Sequence, residues 1–184
     1  MYQGSNKTAL SSQKSIAQGF TELMHEKEYS KISISEICQR SGVSRQTFYT
    51  LFESKENIVI FILAKSHDFK PDKDCECQGP PTLAQLAEGF TKYILSKKEI
   101  LELLVKNNII YMMMWSLYKS FTECNDPKDE YDKIISNMTA DFIAAGLTTI
   151  AKHYVMNSDK ISEEQLKQLI YDLFNGSYFP TEKK

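Results

Sequence analysis

The chain has 184 residues, of which 42% are hydrophobic and 25% are charged, and its formal net charge is −2. This is the composition of an ordinary globular protein with room for one or two domains, and its few Gly and Pro residues favour long helices over a turn-rich β fold. Because no continuous apolar run reaches the roughly 18 residues of a membrane span and the start is too polar for a secretory signal, we expect a cytoplasmic protein with no membrane partner.

The charge is divided unevenly along the chain. Residues 1–70 carry nine basic against seven acidic residues, whereas residues 71–184 carry thirteen against seventeen. A mildly basic start on an acidic remainder indicates an anionic partner at the N-terminal end only.

The four cysteines are Cys38, Cys75, Cys77 and Cys124. Without an export signal, free thiols are expected rather than disulfides. Cys75 and Cys77 with His67 or Cys124 are one candidate metal site. A lone C-x-C lacks a matching second pair, however, so we interpret this stretch as an acidic surface loop and expect neither a metal nor a cofactor.

In chain order, the first elements are three helices with a sharp turn before the third. After a polar start that we expect to be disordered, apolar residues recur at helical spacing over residues 8–27. Ser33 and Glu36 have the spacing of a capping box, which predicts a second helix. Gly42 supplies the left-handed backbone position that a tight turn needs, and Ser44 is a strong N-cap for the third helix.

The third helix carries polar side chains on faces that packing does not need. In a helix-turn-helix the second helix of the motif lies in the major groove of DNA. Arginine can bond guanine, glutamine can bond adenine, and threonine can contact a base edge or a thymine methyl group. The predicted base contacts are therefore Arg45, Gln46, Thr47 and Thr50. Tyr49 can reach a phosphate with its hydroxyl, and Lys55 lies in the first turn of a fourth helix, where a phosphate is favoured.

The rest of the chain predicts further helices and no strand. Residues 70–81 combine three prolines, a glycine and charges without periodicity, which indicates a loop. A helix over residues 82–95 follows, and Ser96 with Glu99 has the spacing of another capping box. Residues 109–121 are apolar nearly all round, which is typical of a fully surrounded helix.

Two more helices complete an all-α fold of about nine helices. Asp126-Pro127 predicts the start of a long helix that ends near Met156, and Ser162 with Gln165 predicts the start of the last one. In the long helix we expect these residues to face inward: Ile134, Ile135, Met138, Phe142 and Ile150.

Aromatic residues with polar tips follow one face of the helix over residues 109–121. Together with methionine, such side chains suit an adaptable apolar pocket, although a thick core explains the same pattern. The predicted ligand pocket consists of Tyr93, Tyr111, Met114, Trp115 and Tyr118.

Residues 12–65 resemble the DNA-binding domain of TetR-family transcriptional regulators. The matching motifs are Ser33-Ile34-Ser35-Glu36-Ile37, Gly42-Val43-Ser44, Phe48-Tyr49, Phe52 and Ser54-Lys55-Glu56. One departure is Glu28, which stands where the family usually has glycine. The C-terminal half also bears a likeness to regulators linked to dihydroxyacetone kinase genes. With this resemblance, the predicted phosphate contacts are Ser33, Ser35, Ser44, Tyr49 and Lys55.

The resemblance also implies two functional parts and a function. We expect a head (residues 8–54) that binds DNA and a regulatory body (residues 55–184), whose residues 55–69 form a connecting helix. A homodimer through the last two helices, about 129–156 and 162–174, is implied. Small residues on the first of these permit either that contact or packing within the body: Ala140, Ala144, Ala145, Gly146 and Ala151.

The expected function is that of a repressor that binds a palindromic operator in double-stranded DNA and is released by a small-molecule effector. An activator, and a module that acts through protein–protein contacts, are the alternatives. The sequence contains no phosphate loop, nucleophile elbow or H-E-x-x-H motif, so we do not expect an enzyme.

Overall fold

The structure is a computed structural model that describes residues 1–2, 4–64, 82–123 and 127–177. Within these ranges the chain forms α-helices and one 3-10 turn (Tyr29–Lys31) and no strand, so the predicted all-α class is confirmed. The described residues form nine helices: α1 (Lys7–Glu26), α2 (Ile34–Ser41), α3 (Arg45–Leu51), α4 (Lys55–Ala64), α5 (Leu83–Ser96), α6 (Lys98–Lys106), α7 (Tyr111–Glu123), α8 (Glu130–Met156) and α9 (Glu163–Asn175).

Several helix starts follow directly from local sequence. The capping boxes of Ser33 at α2 and Ser162 at α9 are both formed, as predicted. A third box joins Thr82 to Gln85 at the start of α5, and its T-x-x-Q spacing was recognisable in the sequence. These caps satisfy backbone N–H groups that have no partner within the helix.

Two predicted helix starts were wrong. Ser96 lies in the last turn of α5 and donates to the Tyr93 carbonyl, while Glu99 contacts His25 instead of closing a capping box. At α8 the cap is Asp129, whose carboxylate accepts the N–H of Asp132 at 2.8 Å. Ser96 does not cap because a polar residue near a boundary can cap only if its backbone is extended there, and Ser96 is helical. Asp126 lies outside the described residues.

The head is a small helical unit with an aromatic core. α1 packs against α2 and α3, and Phe20, Phe48 and Phe52 are fully buried between them. The start of the chain, which we expected to be disordered, packs on this unit. The N–H of Tyr2 donates to the Leu51 carbonyl at 2.9 Å, and the buried Gln13 amide donates to the Tyr2 carbonyl at 3.0 Å.

The body is built around α8. α7 and α6 pack along α8, α5 pairs with α9, and α4 connects the head to α7. The buried apolar residues of head and body belong to one continuous cluster. The orientation of the head is therefore set partly by contacts with the body.

The long helix α8 presents two opposite apolar faces. Ala140, Ala144 and Ala151 are buried against the body, so their small size serves packing within the chain. Of the residues expected to face inward, four are exposed and Ile150 is half-buried. The four corrected residues are Ile134, Ile135, Met138 and Phe142. Helical periodicity defines an apolar face but does not say which of two such faces is inside.

Two further features concern the exposure of α7 and α8. α7 was expected to be fully surrounded, but Tyr111 and Trp115 lie at the surface. Among the described residues, α8 alone has the length and composition of a membrane span. Its two opposite apolar faces account for that composition, because each face carries its own apolar set.

Candidate nucleic-acid interface

The turn between α2 and α3 fixes the candidate recognition helix. Gly42 has φ 68° and ψ 25°, the left-handed conformation predicted for it. Apart from Gly42 itself and its two chain neighbours, no atom lies within 4 Å of the place where a Cβ would stand, so glycine is needed here for its backbone and not for space. Ser44 then caps α3 by accepting the N–H of Thr47 at 3.0 Å, while Phe48 and Leu51 anchor the helix in the core.

The four predicted base contacts differ in how free their side chains are. Arg45 and Gln46 are exposed in the first turn of α3, and within the described part of the chain their side chains make no hydrogen bond or ion pair. The Thr50 hydroxyl donates to the Gln46 carbonyl at 3.0 Å, which leaves its methyl group for a contact. The Thr47 hydroxyl lies 2.9 Å from the Ser44 hydroxyl and belongs to the cap.

Four of the predicted phosphate contacts lie around the same motif. Ser35 and Tyr49 are exposed, and the Tyr49 ring stands edge-on to the Phe48 ring at 5.6 Å. The hydroxyls of Ser33 and Ser44 are both engaged as helix caps. The outer surface of α2 and α3 thus offers Ser35 and Tyr49 with fewer competing contacts than the two capping serines have.

Lys55 takes a position that its sequence context did not indicate. Its ammonium donates to the carbonyls of Tyr29 at 2.9 Å and Ile32 at 3.1 Å, and lies 4.2 Å from the centre of the Tyr29 ring. Two of its three N–H groups are therefore used within the chain. This geometry favours a role of Lys55 in stabilising the connection between α1 and α2. A phosphate contact by Lys55 stays a prediction.

The connection between α1 and α2 also explains the departure at Glu28. Glu28 has φ −62° and ψ 140°, an extended conformation that any residue adopts, so glycine is not required there. Arg40 further ties α2 to α1, because its guanidinium donates to both oxygens of Glu26, at 2.7 and 2.9 Å.

Ion pairs neutralise part of the positive charge of the head. Arg40 holds the pKa of Glu26 below its usual value, so this pair is charged over a wide pH range. Lys27 pairs with Glu36, and this contact, with the Ser33 N–H, lowers the pKa of Glu36 to about 2. Arg45 is thereby distinguished from Lys27 and Arg40, whose charges are already paired within the head.

The residues of the predicted ligand pocket lie in different environments. Tyr93 is 4% exposed and stacks on Phe90 in the core, where burial raises its pKa. Trp115 is 59% exposed and stands edge-on to Tyr111 at 5.8 Å, while Met114 and Tyr118 are half-buried. Side chains that differ this much in exposure do not line one enclosed pocket, so the effector site stays a prediction.

Cys75, Cys77, Cys124 and His67 all lie outside the described residues. Cys38 is a buried free thiol in the head, and burial raises its pKa. The described residues hold no cluster of three or more potential metal ligands.

Comparison with known proteins agrees with this architecture. Residues 19–60 match the family described as bacterial regulatory proteins, tetR family. The HTH-type dhaKLM operon transcriptional activator DhaS of Lactococcus lactis subsp. lactis (strain IL1403) is 30% identical over 118 residues, which are 62% of this chain and 54% of that relative. The match thus spans about half the length of that relative.

Two solved structures share the fold over nearly the whole chain. Lin0861 from Listeria innocua is 16% identical, with a TM-score of 0.72 and 96% of both chains covered. A TetR transcriptional regulator from Streptococcus agalactiae 2603V is 18% identical, with a TM-score of 0.56 over 91% of this chain and 95% of that one. At such identities the likeness concerns the fold alone.

The fold and the glycine turn define a helix-turn-helix protein of the all-α class. The match over residues 19–60 identifies the head as similar to the bacterial regulatory proteins of the tetR family.

Proposed function

We propose that the protein is a homodimeric regulator that binds double-stranded DNA with α3 in the major groove. The observation that carries this proposal is the first turn of α3, where Arg45 and Gln46 are exposed on a helix held by the Gly42 turn and by buried Phe48. Both side chains can form paired hydrogen bonds with base edges. Ser35 and Tyr49 flank them as candidates for phosphate contacts, which position the head without specifying sequence.

The exposed face of α8 supports the homodimer. Its apolar residues recur in alternate steps of four and three, the heptad spacing of helices that pack side by side. At the middle of this stripe, Met138 is 64% and Phe142 is 75% exposed, which is unusual for side chains of this size outside an interface. We call this stripe the α8 seam; it comprises Tyr131, Ile135, Met138, Phe142 and Ala145.

We assign α9 a smaller part in the dimer than the family resemblance implied. Its exposed residues are mainly polar, and Leu169 is its single large apolar side chain in the exposed class among the described residues. We therefore assign the main dimer contact to the α8 seam, with α9 packed on α5 within the protomer. A two-fold dimer of such heads matches a palindromic operator.

The sign of the regulation has two candidates. Repression with release by a small molecule was the expectation from the sequence. Activation is favoured by one specific observation, namely that the relative from Lactococcus lactis is described as an operon transcriptional activator. A reporter gene behind the protein's own upstream region, measured with and without the protein, separates the two: expression falls for a repressor and rises for an activator.

The test of DNA binding is selection of bound fragments from random double-stranded DNA by the full chain, followed by titration at several salt concentrations. We expect a palindromic site whose affinity falls steeply with salt, since each phosphate contact releases counterions. If low salt yields no enriched site, the proposal of a DNA-binding regulator is wrong and the protein-interaction alternative gains.

A further inference from the structure

One contact between body and head is made by the side chain of Asn107. Asn107 caps the C-terminus of α6, where its Nδ2 donates to the Leu103 carbonyl at 2.9 Å. Its Oδ1 accepts the backbone N–H of Tyr29 at 2.7 Å, across 78 positions of sequence. The chain then turns sharply into α7 through Asn108, which has φ 57°, a left-handed conformation that asparagine tolerates better than most residues. Both ends of this contact are thus held by well-defined turns.

Tyr29 links the head to α4 through hydrogen bonds. Its carbonyl accepts from Lys55 at 2.9 Å, and its hydroxyl donates to Glu56 at 2.6 Å. Its ring meets the ring of Phe20 edge-on at 6.1 Å. Burial and the hydrogen bond to Glu56 raise its pKa well above the usual range, so the hydroxyl stays a donor. Any movement of Tyr29 therefore carries the end of α1 and the start of α2 with it.

We infer that Asn107 is a positioning residue that sets the angle of the head on the body and hence the half-site spacing that the dimer accepts. This inference rests on the proposed function, because spacing is defined only for two heads on one DNA. The hydrogen bond between Tyr29 and Asn107 acts on the segment that leads directly to the Ser33 cap of α2. It therefore affects the position of the whole helix-turn-helix. Rotation of the head about this point changes the separation of the two α3 helices.

Besides the bonds that α4 makes with Tyr29, two other polar contacts lie near this junction, and they differ in character from that of Asn107. His25 and Glu99 lie 2.8 Å apart, but both are exposed, and such pairs contribute little in water. The Lys97 ammonium donates to the Ile62 carbonyl at 2.7 Å, and so holds α4 rather than the helix-turn-helix. The contact of Asn107 is half-buried, short and directional, whereas apolar packing at the junction allows small sliding movements.

Removing this contact is expected to loosen the head without unfolding it. The head keeps its own aromatic core of Phe20, Phe48 and Phe52, and water can reach the Tyr29 N–H because the site is only part-buried. The readout must therefore be head orientation rather than stability.

The experiment compares the full-length wild type with Asn107→Ala on the selected palindrome and on derivatives with one base pair added or removed between half-sites. One base pair turns a half-site by about 34° and shifts it by about 3.4 Å. We expect the wild type to lose about tenfold or more in affinity, the equivalent of one spoiled base contact. Asn107→Ala should lose less than about threefold, with unchanged base preference within each half-site.

The chain offers a matched control at the end of α8. Asn157 caps α8 in the same way, with its Nδ2 on the His153 carbonyl at 2.9 Å, but it is not part of the contact with Tyr29. Asn157→Ala should keep the wild-type spacing penalty. Asn107→Asp retains an acceptor for Tyr29 and should also keep it. If Asn107→Ala proves poorly folded, Asn107→Ser serves instead, because its short side chain can still cap α6 but cannot reach Tyr29.

Three outcomes overturn the inference. A full spacing penalty in both Asn107→Ala and Asn107→Ser shows that the contact does not set the spacing. Equal relaxation in Asn157→Ala assigns the effect to loss of a helix cap. If the wild type selects single half-sites, both the proposed dimeric function and the inference are wrong. This result is distinguishable from the first two.

Discussion

The head and α8 distribute their apolar side chains in different ways. In the head each helix has one apolar face, which meets the others around Phe20, Phe48 and Phe52, and the remaining surface is mainly polar. On α8 a buried face of alanines lies opposite the exposed α8 seam. A helix with one apolar face is complete within its protomer, whereas a helix with two needs a second surface to cover the exposed one.

The largest expected effect is the loss of dimer association through the α8 seam. Phe142→Asp places a charge in the middle of the α8 seam, and a buried unpaired charge weakens association by about 100-fold or more. The protomer should stay folded, since Phe142 is exposed within it. Analytical ultracentrifugation over a concentration series measures the dimer. Thr139→Asp, on the solvent-facing flank of α8, is the matched control and should leave the dimer intact; equal dissociation in both variants would show that the seam is not the interface.

The next effect concerns the polar surface of the head. Arg45→Ala should lose the preference for one base pair in each half-site, by about 1–3 kcal/mol, which corresponds to roughly 5- to 150-fold. Binding to the four base-pair variants at each position measures this loss. Lys92→Ala removes a positive charge from α5, far along the chain from α3, and should leave base preference unchanged. Retained preference in Arg45→Ala would remove this residue from the set of base contacts.

A substitution of Lys55 distinguishes a structural role of this residue from a contact with DNA. Lys55→Met keeps the length of the side chain but leaves the carbonyls of Tyr29 and Ile32 without their donor. We expect the free energy of unfolding to fall by about 1–3 kcal/mol, as for other hydrogen bonds to a charged group. Urea titration at fixed protein concentration measures it. Unchanged stability combined with weaker binding to every DNA sequence would instead support a phosphate contact.

A smaller effect on the free energy of unfolding is expected when one glycine from each region is replaced by alanine. Gly42→Ala forces a side chain into the left-handed conformation and should cost about 1–2 kcal/mol. Gly146→Ala lies within α8, with no atom within 4 Å of the new Cβ, and should stabilise by up to about 1 kcal/mol through helix propensity. Urea unfolding of both variants should therefore move the midpoint in opposite directions. A shift in the same direction would contradict the conformational role assigned to Gly42.

Local sequence specified the head better than the body for a physical reason. The caps of Ser33 and Ser44 and the left-handed Gly42 act within a few residues, so each could be predicted from its immediate neighbours. Tyr29 and Asn107 meet across 78 positions, and no local pattern marks either residue as part of a junction.

On α8 the sequence showed which residues are apolar but not which face was inside. Phe142 was expected in the core and is exposed, while Ala144, considered for a close helix contact between protomers, is buried within one. Which face of α8 is buried depends on how the surrounding helices are arranged. Periodicity carries no information on that arrangement. The predicted base contacts Arg45 and Gln46, in contrast, needed only the helix start and the buried positions of α3.

The smallest effect is a pH dependence of the capping box at α2. The contacts of Glu36 with Lys27 and with Ser33 lower its pKa in the folded protein from 4.5 to about 2. Because the folded-state pKa is depressed, the stabilisation by Glu36 is fully present above the unfolded-state pKa and is lost as the pH falls from about 4.5 toward 2. Glu36→Gln keeps an acceptor for the box but does not titrate, as in the Gln165 box of α9. The difference in unfolding free energy between wild type and Glu36→Gln should therefore shrink over this pH range. A difference that stays constant down to pH 2 would show that the carboxylate of Glu36 does not hold its contacts in the folded head.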